Sequence, residues 1–283
     1  INDPYDGGNH LPDIGIITPV FADERLLFFC VSRAHHGDIG GSTAGSYNPK
    51  ATEIFQEGIR IPPTRIMENF IICDEVMNLI LINTRNPQML KSDLSAQLGA
   101  NRLAVKRIKE MVDTYGADVV EKSVASYLEQ TAIMTKKRIS EIPDGIYRAT
   151  EYIDDDGFQD EPVKIEVAVK VNGEHILVDF EGTDPQVKGF INTSVVTATT
   201  ASGIACLWFL GSDIPRNGGA FGCIDVNLPK GSLVNPYEPA PMTLCTLTPA
   251  SEIIGAIFQA LDKAMPGRVC AGYTRYAGSS YYG

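Results

Sequence analysis

The stretch His10-Leu11-Pro12-Asp13-Ile14-Gly15-Ile16-Ile17-Thr18-Pro19-Val20 runs through a polar turn, Ala22-Asp23-Glu24-Arg25, into Leu26-Leu27-Phe28-Phe29-Cys30-Val31-Ser32-Arg33-Ala34-His35-His36-Gly37-Asp38. Two short β-prone apolar runs, Ile14 to Val20 and Leu26 to Val31, separated by a polar turn read as an antiparallel hairpin. A turn near positions 23 and 24 places Asp13 opposite roughly position 34 and His10 opposite roughly position 37. His10-x-x-Asp13 and His35-His36-x-Asp38 then converge at one end of the hairpin. Three of the chain's four histidines fall in this stretch. Two imidazoles with one or two carboxylates form a mixed N/O set suited to Zn, Mn or Fe(II), with a position left for water or substrate. The same residues also suit loop hydrogen bonds and turn capping, and the residues alone leave both readings open.

Outward from the hairpin, a Gly-, Ser- and Pro-rich segment from about Gly40 to Pro63 reads as an ordered loop. Helical spacing runs from Asp93 to Tyr115 through Leu94, Leu98, Leu103, Ile108, Met111 and Val112, with Ser92 or Asp93 as the expected N-cap and Gly116 closing it. A second helix is expected from Ala117 to Ile139, the two forming a helical hairpin whose lysines and arginines are solvated faces. The period then changes. Val163, Ile165, Val167, Val169 and Val171 alternate with polar residues, and Asn172-Gly173 supplies a positive-φ pair for a tight turn into Ile176 to Phe180. Buried helices are expected over Val195 to Leu210 and Ser251 to Met265. The fold class is α+β, mixed, divided into a β-rich metal-site region over 1–90, a helical hairpin over 91–141 and an α+β region over 142–283, together one compact unit. The opening on Ile1-Asn2-Asp3 and the pattern continuing through Tyr281-Tyr282-Gly283 point to a piece of something longer, incomplete at both ends.

With 24 Lys and Arg against 35 Asp and Glu, a formal charge of −11 argues against a phosphate-backbone surface and so against a nucleic-acid partner. No apolar run reaches the roughly 20 residues of a bilayer span, so a cytoplasmic protein with no membrane partner is expected. The six cysteines are scattered, with no C-x-x-C pair, and read as reduced thiols, mostly in the core. Glu53 and Glu57, four apart and followed by Arg60, read as a local ion pair sooner than as substrate contacts. Asp179, Glu181 and Asp184 stand equally for a general base or a turn cap. No G-x-x-x-x-G-K-[ST] loop and no G-x-G-x-x-G unit occurs, so any ATP chemistry implies a partner chain or a missing domain.

Several motifs in order carry a family resemblance: Asn2-Asp3-Pro4-Tyr5-Asp6-Gly7-Gly8-Asn9-His10-Leu11-Pro12-Asp13, Ser32-Arg33-Ala34-His35-His36-Gly37-Asp38, Glu57-Gly58-Ile59-Arg60-Ile61-Pro62-Pro63, Asn83-Thr84-Arg85-Asn86-Pro87, Asp179-Phe180-Glu181-Gly182-Thr183 and Asn217-Gly218-Gly219-Ala220-Phe221. Over essentially the whole chain the sequence resembles the hydantoinase B/oxoprolinase family. The resemblance implies a catalytic subunit of an ATP-dependent cyclic amide hydrolase, opening hydantoin, oxoproline or lactam rings, in a hetero-oligomer with an actin-like ATPase subunit of the hydantoinase A type that holds the ATP. It implies a divalent metal (Zn, Mn or Fe) on His10, Asp13 and His35, with His36 and Asp38 as the expected catalytic proton acceptors for a water directed onto the activated carbon. The alternative is a subunit of an ATP-dependent ketone carboxylase of the acetone or acetophenone type. His10-Leu11-Pro12-Asp13 and His35-His36-Gly37-Asp38 are closer to the amide-hydrolysing branch.

Overall fold

The computed structural model describes residues 1–22 and 24–272. The stretch through Tyr281-Tyr282-Gly283 lies outside the described residues. The expected α+β class is what the chain adopts, organised as two packed layers that share a helical connection.

The first layer is built on the hairpin of β1 (Asp13–Ala22) and β2 (Arg25–His35). Its pairing slips by one residue between Val20 and Phe21: Phe21 faces Leu26, whereas Val20 faces Phe28, so Leu27 is extra. Beyond this bulge Asp13 stands opposite His35, one position from the expected partner at 34. Alternation buries Ile14, Ile16 and Val20 and leaves Ile17 and Phe21 exposed. A small ribbon, β3 (Met67–Glu68) with β4 (Ile71–Ile72), precedes the short helix α1 (Asp74–Leu81).

Helix α2 runs over Pro87–Tyr115, so it starts earlier than expected. Asn86 is the cap, its side chain accepting from the Met89 amide, and Pro87 opens the first turn where no N–H is needed. Ser92 and Asp93 are therefore helix-interior residues. Leu90, Leu94 and Leu98 pack with Leu11, Ile14, Ile16, Ile39, Ile54 and Ile80. Leu103, Met111 and Tyr115 of the expected apolar stripe are exposed instead, while Val105 and Ile108 keep this part of the helix against Val20 and Cys30 of the hairpin. Two buried amides fasten helix to hairpin: Gln97 Nε2 donates to the Ile14 carbonyl at 2.9 Å, and Asn101 Nδ2 to the Ile16 carbonyl at 2.9 Å. Gly116, at φ 84°, ends α2 and opens α3 (Ala117–Ile139), whose Thr131, Thr135 and Ile139 are buried.

The second layer is a sheet in the order β5 (Gly145–Ile153), β6 (Val163–Asn172), β7 (His175–Asp179), β8 (Ile224–Asn227). The first two pairings are antiparallel and β7–β8 is parallel. That parallel pair requires a crossover, supplied by α4 (Val195–Leu210) and the short α5 (Gly218–Phe221). The β6–β7 turn falls one residue later than expected: Asn172 pairs with His175, and within the turn Gly173 takes the positive φ. With α6 (Ala250–Ala264), the sheet and α4 bury Ile165, Val167, Val169, Ile176, Val178, Ala201, Ala205, Ile253 and Ile257 in one core. Cys30, Cys206, Cys223 and Cys245 are buried free thiols, Cys73 is half-buried and Cys270 exposed. Among the described residues no helix is long and apolar enough to cross a membrane.

Leu94 is fully buried at the seam between α2 and the hairpin. Leu94→Ala is expected to cost about 2–5 kcal/mol through lost transfer energy and an unfilled cavity. Urea denaturation of the two proteins checks this, and a loss under about 1 kcal/mol would mean that the seam contributes less than its burial implies.

Candidate metal centre

The loop that carries His10 is held rigidly before β1 begins. Asn2 Nδ2 donates to the carbonyls of Leu11 (2.7 Å) and Ile59 (2.9 Å), while its Oδ1 accepts from the Ile61 amide at 2.7 Å. The chain folds back so tightly that a Cβ on Gly8 would stand 2.2 Å from the Asn2 carbonyl oxygen, which leaves room for glycine alone. His10 emerges buried, at 1% exposure.

Its ring is oriented from behind. Nδ1 lies 2.6 Å from the Thr243 carbonyl oxygen; a carbonyl only accepts, so Nδ1 carries the proton and Nε2 faces forward. Nε2 is 2.9 Å from Asp13 Oδ1 and 3.2 Å from His35 Nδ1, and His35 Nδ1 is itself 2.9 Å from the same Asp13 oxygen. Asp13's other oxygen accepts from Asn9 Nδ2 at 2.8 Å. Asn9 in turn accepts from the Thr197 hydroxyl in the first turn of α4. Burial opposes ionisation of Asp13, but the surrounding side chains of His10, His35 and Asn9 outweigh it and hold the carboxyl far below its ordinary range.

Three donor atoms of His10, Asp13 and His35 thus lie together in a group able to hold a metal ion. Ligands at about 2.0–2.1 Å from one ion stand about 2.8–3.4 Å apart at octahedral to tetrahedral angles, the range of the spacings seen. The donor set fits a borderline divalent cation. The group is closed at His10 and open at His35, whose side chain is 49% exposed. The Tyr47 ring flanks both imidazoles, with centroids 6.3 and 6.1 Å away.

A family model for hydantoinase B/oxoprolinase matches residues 1–282. The chain belongs to the hydantoinase B/oxoprolinase family. It is 33% identical to the beta chain of the caprolactamase of Pseudomonas jessenii, over 100% of this chain and 48% of that protein. It is 31% identical to the B component of a putative D-/L-hydantoinase of a Pseudomonas species, over 96% of this chain and 48% of that protein. The chain therefore spans about half the length of these relatives. The crystal structure of the ATP-dependent caprolactamase from Pseudomonas jessenii superposes with a TM-score of 0.89 at 34% identity, covering 95% of this chain and 46% of that one. A nucleotide-free acetone carboxylase structure shares the fold, with a TM-score of 0.86 at 20% identity, covering 94% of this chain and 37% of that one.

Not every candidate residue of this family member reaches the group. His36 turns the opposite way, buried under α2 with Nδ1 3.5 Å from Asp93 Oδ2, and burial pushes its imidazole down against the pull of that carboxylate. Asp38 is committed to its own loop. Oδ1 accepts from the amides of Gly40 (2.9 Å) and Arg85 (3.2 Å), and Oδ2 from the Gly45 amide (3.0 Å) and Arg85 Nη1 (3.0 Å). These bonds overcome desolvation and hold the carboxyl at about 2.

The expected ion pair of Arg60 with Glu53 or Glu57 does not form. Arg60 pairs instead with Asp3 (2.8 Å) and Glu238 (2.5 Å), because residues distant in sequence lie nearer its guanidinium. Asp179 ends β7 and caps the turn that follows, accepting from Lys170, Asn227 and the Glu181 amide. Asn9, Tyr47 and Glu57 complete the site's surroundings, and none of them is among the expected ligands or proton acceptors. For Asn9 a signal exists, its place one residue before His10; Tyr47 and Glu57 come near only through the folded loop.

The low Asp38 value sets a pH window. A carboxyl depressed in the folded state contributes stability above its unfolded value near 4 and loses it as pH falls through about 2. Asp38→Asn is expected to lower the denaturation midpoint at pH 7, with the gap to the unaltered protein closing between about pH 4 and pH 2. A gap independent of pH would show that the charge on Asp38 contributes nothing.

Proposed function

We propose that this chain is the metal-binding, catalytic part of an ATP-dependent cyclic amide hydrolase. The observation that carries the reading is the convergence of His10 Nε2, Asp13 Oδ1 and His35 Nδ1. His10 Nδ1 already bears a proton toward Thr243, so Nε2 presents a lone pair to a carboxylate oxygen 2.9 Å away. Two facing lone pairs at that distance repel unless a cation or a second proton lies between them. His10, Asp13 and His35 would hold a divalent ion, which supplies Lewis-acid polarisation and water activation near neutral pH. The buried back fixes ligand geometry, and the exposed His35 side admits substrate past Tyr47.

Family membership supports the substrate class. Both Pseudomonas relatives bear names of cyclic amide hydrolases, one described as ATP-dependent, and both are named as subunits. Amide resonance makes the ring carbonyl a poor electrophile, and phosphorylation of its oxygen removes that resonance. The sequence carries neither glycine-rich phosphate motif, so we assign phosphorylation to an actin-like ATPase subunit and water delivery onto the activated carbon to this chain. Shielding the phosphorylated intermediate from bulk water requires the two to associate closely. We assign His36 and Asp38 to shaping the loop around the site, since one faces α2 and the other has its lone pairs occupied.

Metal analysis of the purified full-length protein is expected to find Zn, Mn or Fe, and the double variant His10→Ala with His35→Ala to lose it. Metal retained by that variant would displace these ligands. The activity test uses the protein co-purified with its ATPase partner, offered ATP with caprolactam, hydantoin or 5-oxoproline in one series and with acetone plus bicarbonate in another. Phosphate release coupled to ring opening is the expected result. Release with ketone and bicarbonate alone would replace hydrolysis by carboxylation.

A further inference from the structure

Glu57 is a buried carboxylate, 1% exposed, that belongs to no ion pair of the described residues. A carboxylate removed from water is costly unless its lone pairs are taken up. Here they meet backbone amides. Oε1 accepts from Met242 N at 2.9 Å and Thr243 N at 2.8 Å, and Oε2 from Met242 N at 3.1 Å. Burial drives the carboxyl up to about 7 even with these bonds in place.

The two amides belong to the segment whose next carbonyl, that of Thr243, accepts from His10 Nδ1 at 2.6 Å. The Thr243 residue therefore receives Glu57 on its amide side and His10 on its carbonyl side. Neither connection is local: Glu57 and Thr243 are 186 positions apart and His10 and Thr243 233 apart. Glu57 itself is anchored in the loop next to the His10 loop, since Asn2 bonds to the carbonyl of Ile59 and the amide of Ile61.

We propose that Glu57 is a positioning residue for the metal centre: by gripping the Met242 and Thr243 amides it sets the Thr243 carbonyl against His10 and thereby fixes the His10 tautomer and ring orientation. The inference rests on His10 being a metal ligand. Partners behind a metal-bound imidazole commonly tune affinity by about 10–100-fold, and an orienting carbonyl that drifts loses the same effect.

The test is Co(II) binding to the full-length protein, read by chelator competition and by the visible spectrum of the bound ion, on wild type and three variants. Glu57→Ala, which releases both amides, is expected to weaken binding at least tenfold and to alter the spectrum. Glu57→Gln keeps an oxygen at the Oε1 position and is expected to bind within about threefold of wild type with an unchanged spectrum. Glu57→Asp keeps a carboxylate but withdraws it by one methylene; it is expected to behave like the alanine variant, and serves should alanine fail to fold. An alanine or aspartate variant with wild-type affinity and spectrum overturns the proposal. So does a glutamine variant as weak as alanine, which would assign the effect to charge. A wild type that binds no Co(II) overturns the metal reading itself and this inference with it.

Discussion

His10 Nε2 and Asp13 Oδ1 face each other across 2.9 Å, and the registers of the surrounding elements are arranged so that this happens. The hairpin contributes most. Side chains alternate faces along a strand, so a slip of one residue exchanges the faces of an entire strand. Were the ladder regular, with Leu27 paired to Val20, Asp13 would stand opposite Ala34, and His36 in place of His35 would share its face. The bulge near the hairpin turn thus selects which of two adjacent histidines joins the centre. It acts from the far end of the hairpin, through the ladder alone.

That register is protected by polar bonds in an otherwise apolar seam. Gln97 and Asn101 lie on the face of α2 that Leu90, Leu94 and Leu98 define, and their amides reach carbonyls of β1. A sliding hairpin would leave those amides buried without partners, a penalty of about 1–3 kcal/mol each. Apolar packing alone discriminates less well between registers, since one aliphatic contact replaces another. The centre itself is where the two layers meet. Asn9 leads from Asp13 to Thr197 on α4, and His10 leads to Thr243, so both inner donor residues are oriented from the C-terminal half.

How much of this is legible in the sequence follows from the range of each interaction. The hairpin and the convergence of His10 and Asp13 with the His35-His36 pair depend on neighbours within about twenty-five positions, and both can be read; the choice of His35 comes from the family resemblance. The bulge cannot: Leu26-Leu27-Phe28-Phe29 is uniformly apolar, so the pattern there marks no face and hides the extra residue. For the same reason strand alternation does not tell His35 from His36. The apolar period of α2 begins after the helix does, and the true start is marked instead by Asn86-Pro87, a cap followed by a first-turn proline. Glu57 looks like half of a local pair with Arg60, because i, i+3 spacing is visible in a sequence and a contact 186 positions away is not.

The distribution of polar contacts around the centre bears on how it works. Behind it, the supporting heteroatoms are bonded: Nδ1 of His10 to Thr243, Oδ2 of Asp13 to Asn9, both carboxylate oxygens of Glu57 to backbone amides. In front, His35 is half exposed and the neighbouring aromatic ring of Tyr47 offers a flat apolar wall. Residues that are fully bonded reorganise little when a charge develops nearby, and that preorganisation is the property a catalytic centre needs on its supporting side. Under the proposed function, a substrate arriving from the front would meet donor atoms whose orientation was settled during folding, and the free energy of its binding would not be diverted into arranging them.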